Sequence, residues 1–338
     1  MDLSIIVSRQ KKGLRAYLLP LQIVVGLGLS ATLIWLMIRG LEWKELIQTL
    51  GSFPIHLFIL ALVVFLVGIA ARAMRWYVLL RAERISFFRL LLIQNAGIGL
   101  NNLSPVRLVS EPVQLAMVIR GGGVNSATAL ATLVIEHLMD VFAVGSILAI
   151  SMILIPELRG FSIQLGAVII LALVTLLVLL AIAKGMDAVP GSNRIPFLKR
   201  ALAAVKSAGN SPVNLLVSFL STVTHWGLLS LSGWIIGYGL GIDIPVAAMV
   251  VLIMGGVFFV SIVPSAPGGI GTFHGAVVFT MGRLGIFGEP ALIFAFIVHV
   301  ILFVPSTLVA VFVLPREGIK LFGKLDNKVP DEKDEELS

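Results

Sequence analysis

The sequence predicts an all-α, polytopic integral membrane protein, and three observations carry that prediction. The chain of 338 residues is 58% hydrophobic and only 13% charged, with a mean hydropathy of +1.04, far from the makeup of soluble domains. Several uninterrupted apolar runs are long enough to cross about 30 Å of hydrocarbon as helices. No long alternation of apolar and polar residues points to an outer-membrane barrel. The absence of cysteine excludes disulfides, thiolate nucleophiles and thiolate metal sites. The net charge of +7 comes from basic residues gathered between apolar runs, which is the pattern of cytoplasmic loops rather than of a nucleic-acid binder.

Each element follows in order. Arg9, Lys11, Lys12 and Arg15 precede the apolar run Leu18–Ile38, which is too long for a cleaved signal and has no small-residue cleavage site after it. A basic segment over residues 1–17 and a retained first helix starting in the cytoplasm are expected. The span Pro54–Leu80 ends among Arg72, Arg75, Arg81, Arg84 and Arg89, a cluster that reads as cytoplasmic, with Trp76 and Tyr77 as interfacial aromatics. Two short arms, Phe88–Leu100 and Val113–Ile119, flank a polar stretch over residues 101–112. The spans Ala127–Ile155 and Phe161–Ala183 lead to a basic stretch holding Lys184, Arg194, Lys199, Arg200 and Lys206. Val213–Leu240 crosses outward, and Ala291–Leu314 returns to a tail over residues 316–338 that begins with Arg316, Lys320, Lys324 and Lys328. That tail is charged and expected to be cytoplasmic and solvated.

Parity of the loop charges then decides the two remaining segments. Residues 88–119 must begin and end on the cytoplasmic side, and residues 245–287 must begin and end outside. The architecture expected is about six full spans plus two oppositely inserted, broken or re-entrant hairpins, in one transmembrane domain over residues 18–315. The order span, hairpin, span recurs over residues 54–155 and 213–314 with inverted topology. Gly/Pro-interrupted segments at corresponding positions of an inverted repeat point to a transporter whose site lies between the repeats.

Polar residues in the interrupted segments are the candidates for that site. Asn101, Asn102, Arg107 and Glu111 stand in the first hairpin, where non-helical charged backbone survives at bilayer depth only against protein or a water-filled cavity. Glu136 and Asp140 are four apart and share a helix face, with His137 one step round. An acidic residue at a helix centre costs roughly 2.5–3.5 kcal/mol to insert, so this pair calls for a cation, a proton or a polar cavity, and Arg107 and Glu111 are placed to meet it. A structural ion network that pins the hairpin and a substrate site both satisfy that demand. In the second hairpin, Pro267, Gly268, Gly269 and Gly271 precede Thr272 and His274. A helix starting near Thr272 would aim its amide donors at an anion, for which a lipid phosphate is the natural candidate, while a tight turn with close helix packing is the competing reading. His225, Trp226 and His299 read as packing or interfacial residues. No H-E-x-x-H spacing, Walker sequence, nucleophile elbow or dinucleotide fingerprint is present, so no metal, cofactor or direct use of ATP is expected.

These same residues resemble the flippase-like membrane domain of lysylphosphatidylglycerol synthases, also called multiple peptide resistance factors, over roughly residues 15–315. Asn102, Pro105, Arg107 and Glu111 fall on the family's Asn…Pro-x-Arg-x-Gly-Glu pattern, with Val109-Ser110 adding one residue and no glycine. Glu136 and Asp140 fit its Glu-Arg…Asp helix, with His137 in place of the arginine. Pro267 to Phe273 fits its Pro-Gly-Gly-Ile-Gly-x-Phe-Glu element, with His274 in place of the glutamate. The resemblance implies a translocator or binder of an anionic or aminoacylated phospholipid or polyprenyl-phosphate lipid, not a synthase, because it covers the membrane domain and not the soluble transferase. Histidine at two positions of fixed charge would make such a site pH-sensitive. The alternatives are an integral-membrane enzyme or enzyme subunit acting on a lipid-linked substrate, with Glu136 and Asp140 as acid and base, and a small-solute transporter. The expected partners are the bilayer and a lipid with an anionic headgroup, with a second copy or a separate lipid-modifying enzyme as protein partners. The expected location is the cell membrane, with both termini cytoplasmic.

Overall fold

A computed structural model of the chain describes residues 24–37, 42–104, 110–120, 123–154 and 211–319, with residues 21, 39, 166, 170, 173, 174 and 177 standing singly. The expected span Phe161–Ala183, apart from those single positions, lies outside the described residues, as do Arg107, the basic stretch 184–206, the terminus before residue 18 and the tail from residue 320.

The described residues are mostly helical, and no strand occurs among them. The helices are α1 (Val24–Met37), α2 (Trp43–Ser52), α3 (Ile55–Leu79), α4 (Phe87–Leu103), α5 (Ser110–Arg120) and α6 (Ser126–Leu154), followed by α7 (Pro212–Gly239), α8 (Val246–Ile262), α9 (Thr272–Arg283) and α10 (Glu289–Arg316). Of these, α3, α6, α7 and α10 are long and apolar enough to cross a membrane, and the protein is an all-α polytopic membrane protein. Local signals set the boundaries. The Ser86 hydroxyl accepts from the Arg89 amide at 3.3 Å to cap α4, and Asn125 Oδ1 accepts from the Ala127 amide at 3.0 Å to start α6. Prolines occupy the first turns of α7 and α10, where no intrahelical donor is lost. Between α8 and α9 the chain reverses through Gly268, Gly269 and Gly271 at φ of +71°, +68° and +87°, a path that side chains with a Cβ rarely take.

The two halves match helix by helix. The lengths of α3, α4, α5 and α6 are 25, 17, 11 and 29 residues, and those of α7, α8, α9 and α10 are 28, 17, 12 and 28. Packing repeats the same way: α3 lies along α7, α4 packs on α10 as α8 packs on α6, and each hairpin's arms pack on each other. At 1.5 Å per residue α5 and α9 reach only about 16–18 Å, too short to cross alone.

The hairpins open in opposite directions. At one face, the Arg84 amide donates to the Gly123 carbonyl at 3.3 Å, and the Arg89 guanidinium pairs with Glu317 at 3.0 Å. The end of α3, the start of α4, the start of α6 and the end of α10 therefore share that face. At the other face, Phe53 and Leu57 press on Gly239, and the Glu42 amide donates to Glu289 at 3.4 Å. There the start of α3, the end of α7 and the start of α10 come together, with Leu240, Ile242, Leu284 and Ile286 in one apolar cluster. The tips of the two hairpins meet in the interior, where α4 packs on the turn Pro267–Gly269. Gly99 lets α4 touch α10, since a Cβ there would fall 2.6 Å from that of Ala310.

Because the chain has no native cysteine, single cysteines report the topology cleanly. An impermeant thiol reagent is expected to label Ala82→Cys and Ser126→Cys from one side of a sealed vesicle, and Asp243→Cys and Phe287→Cys from the other. Labelling of positions 82 and 126 from opposite sides would remove the first hairpin.

Candidate functional site

The site is built on two arginines of α3, three residues apart and therefore neighbours on the helix surface. Arg75 is completely buried. Its Nε donates to Glu136 Oε1 at 2.7 Å, its Nη2 also pairs with Glu136, and its Nη1 pairs with Asp140 at 2.5 Å. The i, i+4 spacing on α6 presents both carboxylates to one guanidinium. Gln94 of α4 adds a bond to Glu136 Oε1 at 2.9 Å, the Trp226 indole of α7 donates to Asp140 at 3.0 Å, and the Ser218 hydroxyl of α7 donates to the Arg75 carbonyl at 3.2 Å. Four helices are thus fastened to one buried ion cluster.

Arg72 stands apart from it. Its Nε is buried and has no hydrogen-bond partner among the described residues. It makes no ion pair with Asp140, Glu136 or Glu111. It lines a cavity of about 390 Å³ whose walls come from both halves. Asn101, Asn102, Ser110 and Glu111 of the first hairpin's tip face it, with His225 and Trp226 of α7, Ser261 of α8 and Ser306 of α10. Phe65, Ile69, Leu229 and Val260 supply the apolar part of the lining. The His225 Nδ1–H donates to the Gly68 carbonyl at 2.8 Å, and the Trp226 ring stacks on Phe258 with centroids 5.4 Å apart. The Asn101 carbonyl oxygen accepts from the Ser110 amide at 3.2 Å and closes the tip, while the Asn102 amide reaches the Phe303 carbonyl and Thr307 hydroxyl of α10 at 3.3 and 3.1 Å.

A family model of the lysylphosphatidylglycerol synthase transmembrane region matches residues 23–310. The chain belongs to that family. No curated protein matches it. In this family member the described sequence-derived candidates fall into four groups. Asn101, Asn102 and Glu111 line the cavity. Glu136 and Asp140 lie behind it, and their partner is Arg75 rather than Arg107, which is outside the described residues. His137 is exposed on α6. Pro267, Gly268, Gly269, Gly271, Thr272 and His274 do not line this cavity. They form the second tip, which packs under α1: the Ala266 amide donates to the Ser30 hydroxyl at 2.9 Å, and a Cβ on Gly271 would fall 2.6 Å from the Ser30 carbonyl oxygen. The α9 start at Thr272 is as expected, but neighbouring backbone closely approaches the glycine that precedes it.

His274 instead borders a second, mainly apolar cavity of about 390 Å³ between α1, α2, α9 and α10, beside His299, whose ring centroid is 4.7 Å away. His299 hydrogen-bonds the Gly268 carbonyl at 2.8 Å and so ties α10 to the tip.

Four residues need correction. Arg72 and Arg75 are not part of a cytoplasmic cluster, and Trp76 is not interfacial: it is fully buried and donates to the Thr132 hydroxyl at 3.1 Å. Trp226 is not mere packing, since it joins the cavity to Asp140. The available signal was the tract Trp76 to Leu80, which continues the apolar run by more than a turn beyond Arg75. Two buried carboxylates on α6 also demanded cations at the same depth.

Removing one partner of a buried ion pair costs about 3–5 kcal/mol because the other charge is stranded. Arg75→Met is expected to lower stability by that order in detergent unfolding, and Arg75→Met combined with Glu136→Gln to recover part of the loss. An unchanged unfolding midpoint in the single variant would show that the cluster is not structural.

Proposed function

We propose that the protein carries a phospholipid or polyprenyl-phosphate lipid between the leaflets of the cell membrane, holding the headgroup phosphate against Arg72 in the cavity between the two hairpins. The observation that carries this reading is the contrast between the arginines of α3: Arg75 is neutralised by Glu136 and Asp140, while Arg72 lines the cavity with no ion-pair partner among the described residues. An uncompensated cation at bilayer depth is costly, and a lipid phosphate offsets that cost. Membership of a family described by lysylphosphatidylglycerol synthases supports a lipid cargo. The opposite openings of the hairpins support alternating exposure of the cavity to the two sides.

In this reading the lipid leaves chemically unchanged, and the face bearing Arg81, Arg84, Arg89 and Arg316 is cytoplasmic by the distribution of basic residues. Asn101 and Ser110 assist Arg72 at the phosphate, and the Glu136–Asp140–Arg75 cluster holds α3 and α6 in register behind it.

Reconstituted protein is expected to transfer acyl-chain-labelled phospholipid across a vesicle bilayer, followed by bleaching the outer leaflet. Arg72→Gln is expected to slow transfer about tenfold or more, the worth of a charge-assisted hydrogen bond, without lowering the unfolding midpoint. Full transfer by Arg72→Gln would reject the role, and a change of lipid mass during the assay would identify an enzyme instead.

A further inference from the structure

We infer that the cavity is built for a zwitterionic headgroup, a phosphate joined to a primary ammonium, so that the cargo is an aminophospholipid of no net charge. This deepens the lipid-carrier reading and rests on it. The polar groups that line the cavity divide into those bonded within the protein and those free to meet a ligand.

Some are committed within the protein. The Ser261 hydroxyl donates to the Val257 carbonyl at 2.8 Å, and the Ser306 hydroxyl donates to Asn95 Oδ1 at 3.0 Å. Three donors are left: the Arg72 guanidinium, the Asn101 amide group, whose oxygen alone is used, and the Ser110 hydroxyl hydrogen, since that oxygen accepts from Gln114 at 2.6 Å. Acceptors are left as well, and three side chains supply the ones not tied to a neighbouring helix. Glu111 makes no ion pair among the described residues. The Asn102 oxygen is unused while its nitrogen holds α10. His225 spends Nδ1–H on Gly68, which leaves Nε2 as an acceptor in the neutral ring.

Arg72 and Glu111 are therefore a basic and an acidic side chain that line one cavity and do not pair. A purely anionic headgroup would satisfy Arg72 and be repelled by Glu111. A purely cationic one would do the reverse. A phosphate and a primary ammonium satisfy both, and the N–H donors of the ammonium find acceptors in Glu111, Asn102 and His225. A quaternary ammonium has no N–H to give, which separates ethanolamine-type from choline-type headgroups.

The test uses the full-length protein in vesicles with acyl-chain-labelled phosphatidylethanolamine, N-acetylated phosphatidylethanolamine, phosphatidylglycerol and phosphatidylcholine, so that one readout serves all four. Transfer of phosphatidylethanolamine is expected to be roughly tenfold faster than that of the others. Glu111→Gln is expected to erase the preference and Arg72→Gln to slow every lipid. Equal transfer of phosphatidylglycerol, or a preference that survives Glu111→Gln, overturns the inference. Retention of the same lipids by the detergent-purified protein in native mass spectrometry gives a readout independent of transport. If no lipid crosses, the carrier reading fails. Selective retention of phosphatidylethanolamine that is lost in Glu111→Gln would then still uphold the headgroup assignment, and indiscriminate retention would overturn it.

Discussion

Arg75 carries its charge where water does not reach, and the rest of the structure is arranged to make that tolerable. Two carboxylates from successive turns of α6, an amide from α4 and an indole and a hydroxyl from α7 converge on this one residue or on its partners. Buried ion pairs add little net stability over apolar packing, but they penalise any arrangement in which one member is displaced. The cluster therefore acts chiefly on specificity: it fixes the depth and rotation of α3 against α6. Those helices come from the first half, and the Trp226 and Ser218 contacts tie the second half to the same point.

With Arg75 held in this way, Arg72 is fixed one turn away at the seam of the halves, and nothing among the described residues neutralises it. Two arginines three residues apart thus differ: Arg75 satisfies the carboxylates, and in the proposed function Arg72 is left to a lipid phosphate. The hairpins meet where α4 packs on the second tip, and a cavity lined by both halves opens beside Arg72 with the first tip in its wall. Close backbone approach at Gly99 and Gly271 keeps those tips compact.

The hairpins and their opposite sense were legible in the sequence because loop charge reports sidedness regardless of how helices pack. Glu136 and Asp140 were legible because acidic residues in an apolar helix are too costly to be incidental. Their partner was not. Arginines near the end of a hydrophobic run look alike whether they snorkel to the interface or turn inward, and only packing against α6 tells Arg75 from Arg81. The second tip was open to two readings for a related reason: a glycine-rich turn before a helix suits either an anion or close packing, and sequence alone does not say that α1 lies close to it. The role of Trp226 depends on a contact with Asp140, 86 positions away in the chain, which no local pattern encodes.

The most direct test of the account is an experimental structure of the protein in a lipid bilayer at a resolution that shows headgroups. The account predicts a lipid phosphate within about 3 Å of the Arg72 guanidinium, with Arg75 still bound to Glu136 and Asp140. A structure in which Arg72 pairs with a carboxylate of the chain itself, and lipid headgroups gather only at the outer surface, would contradict it.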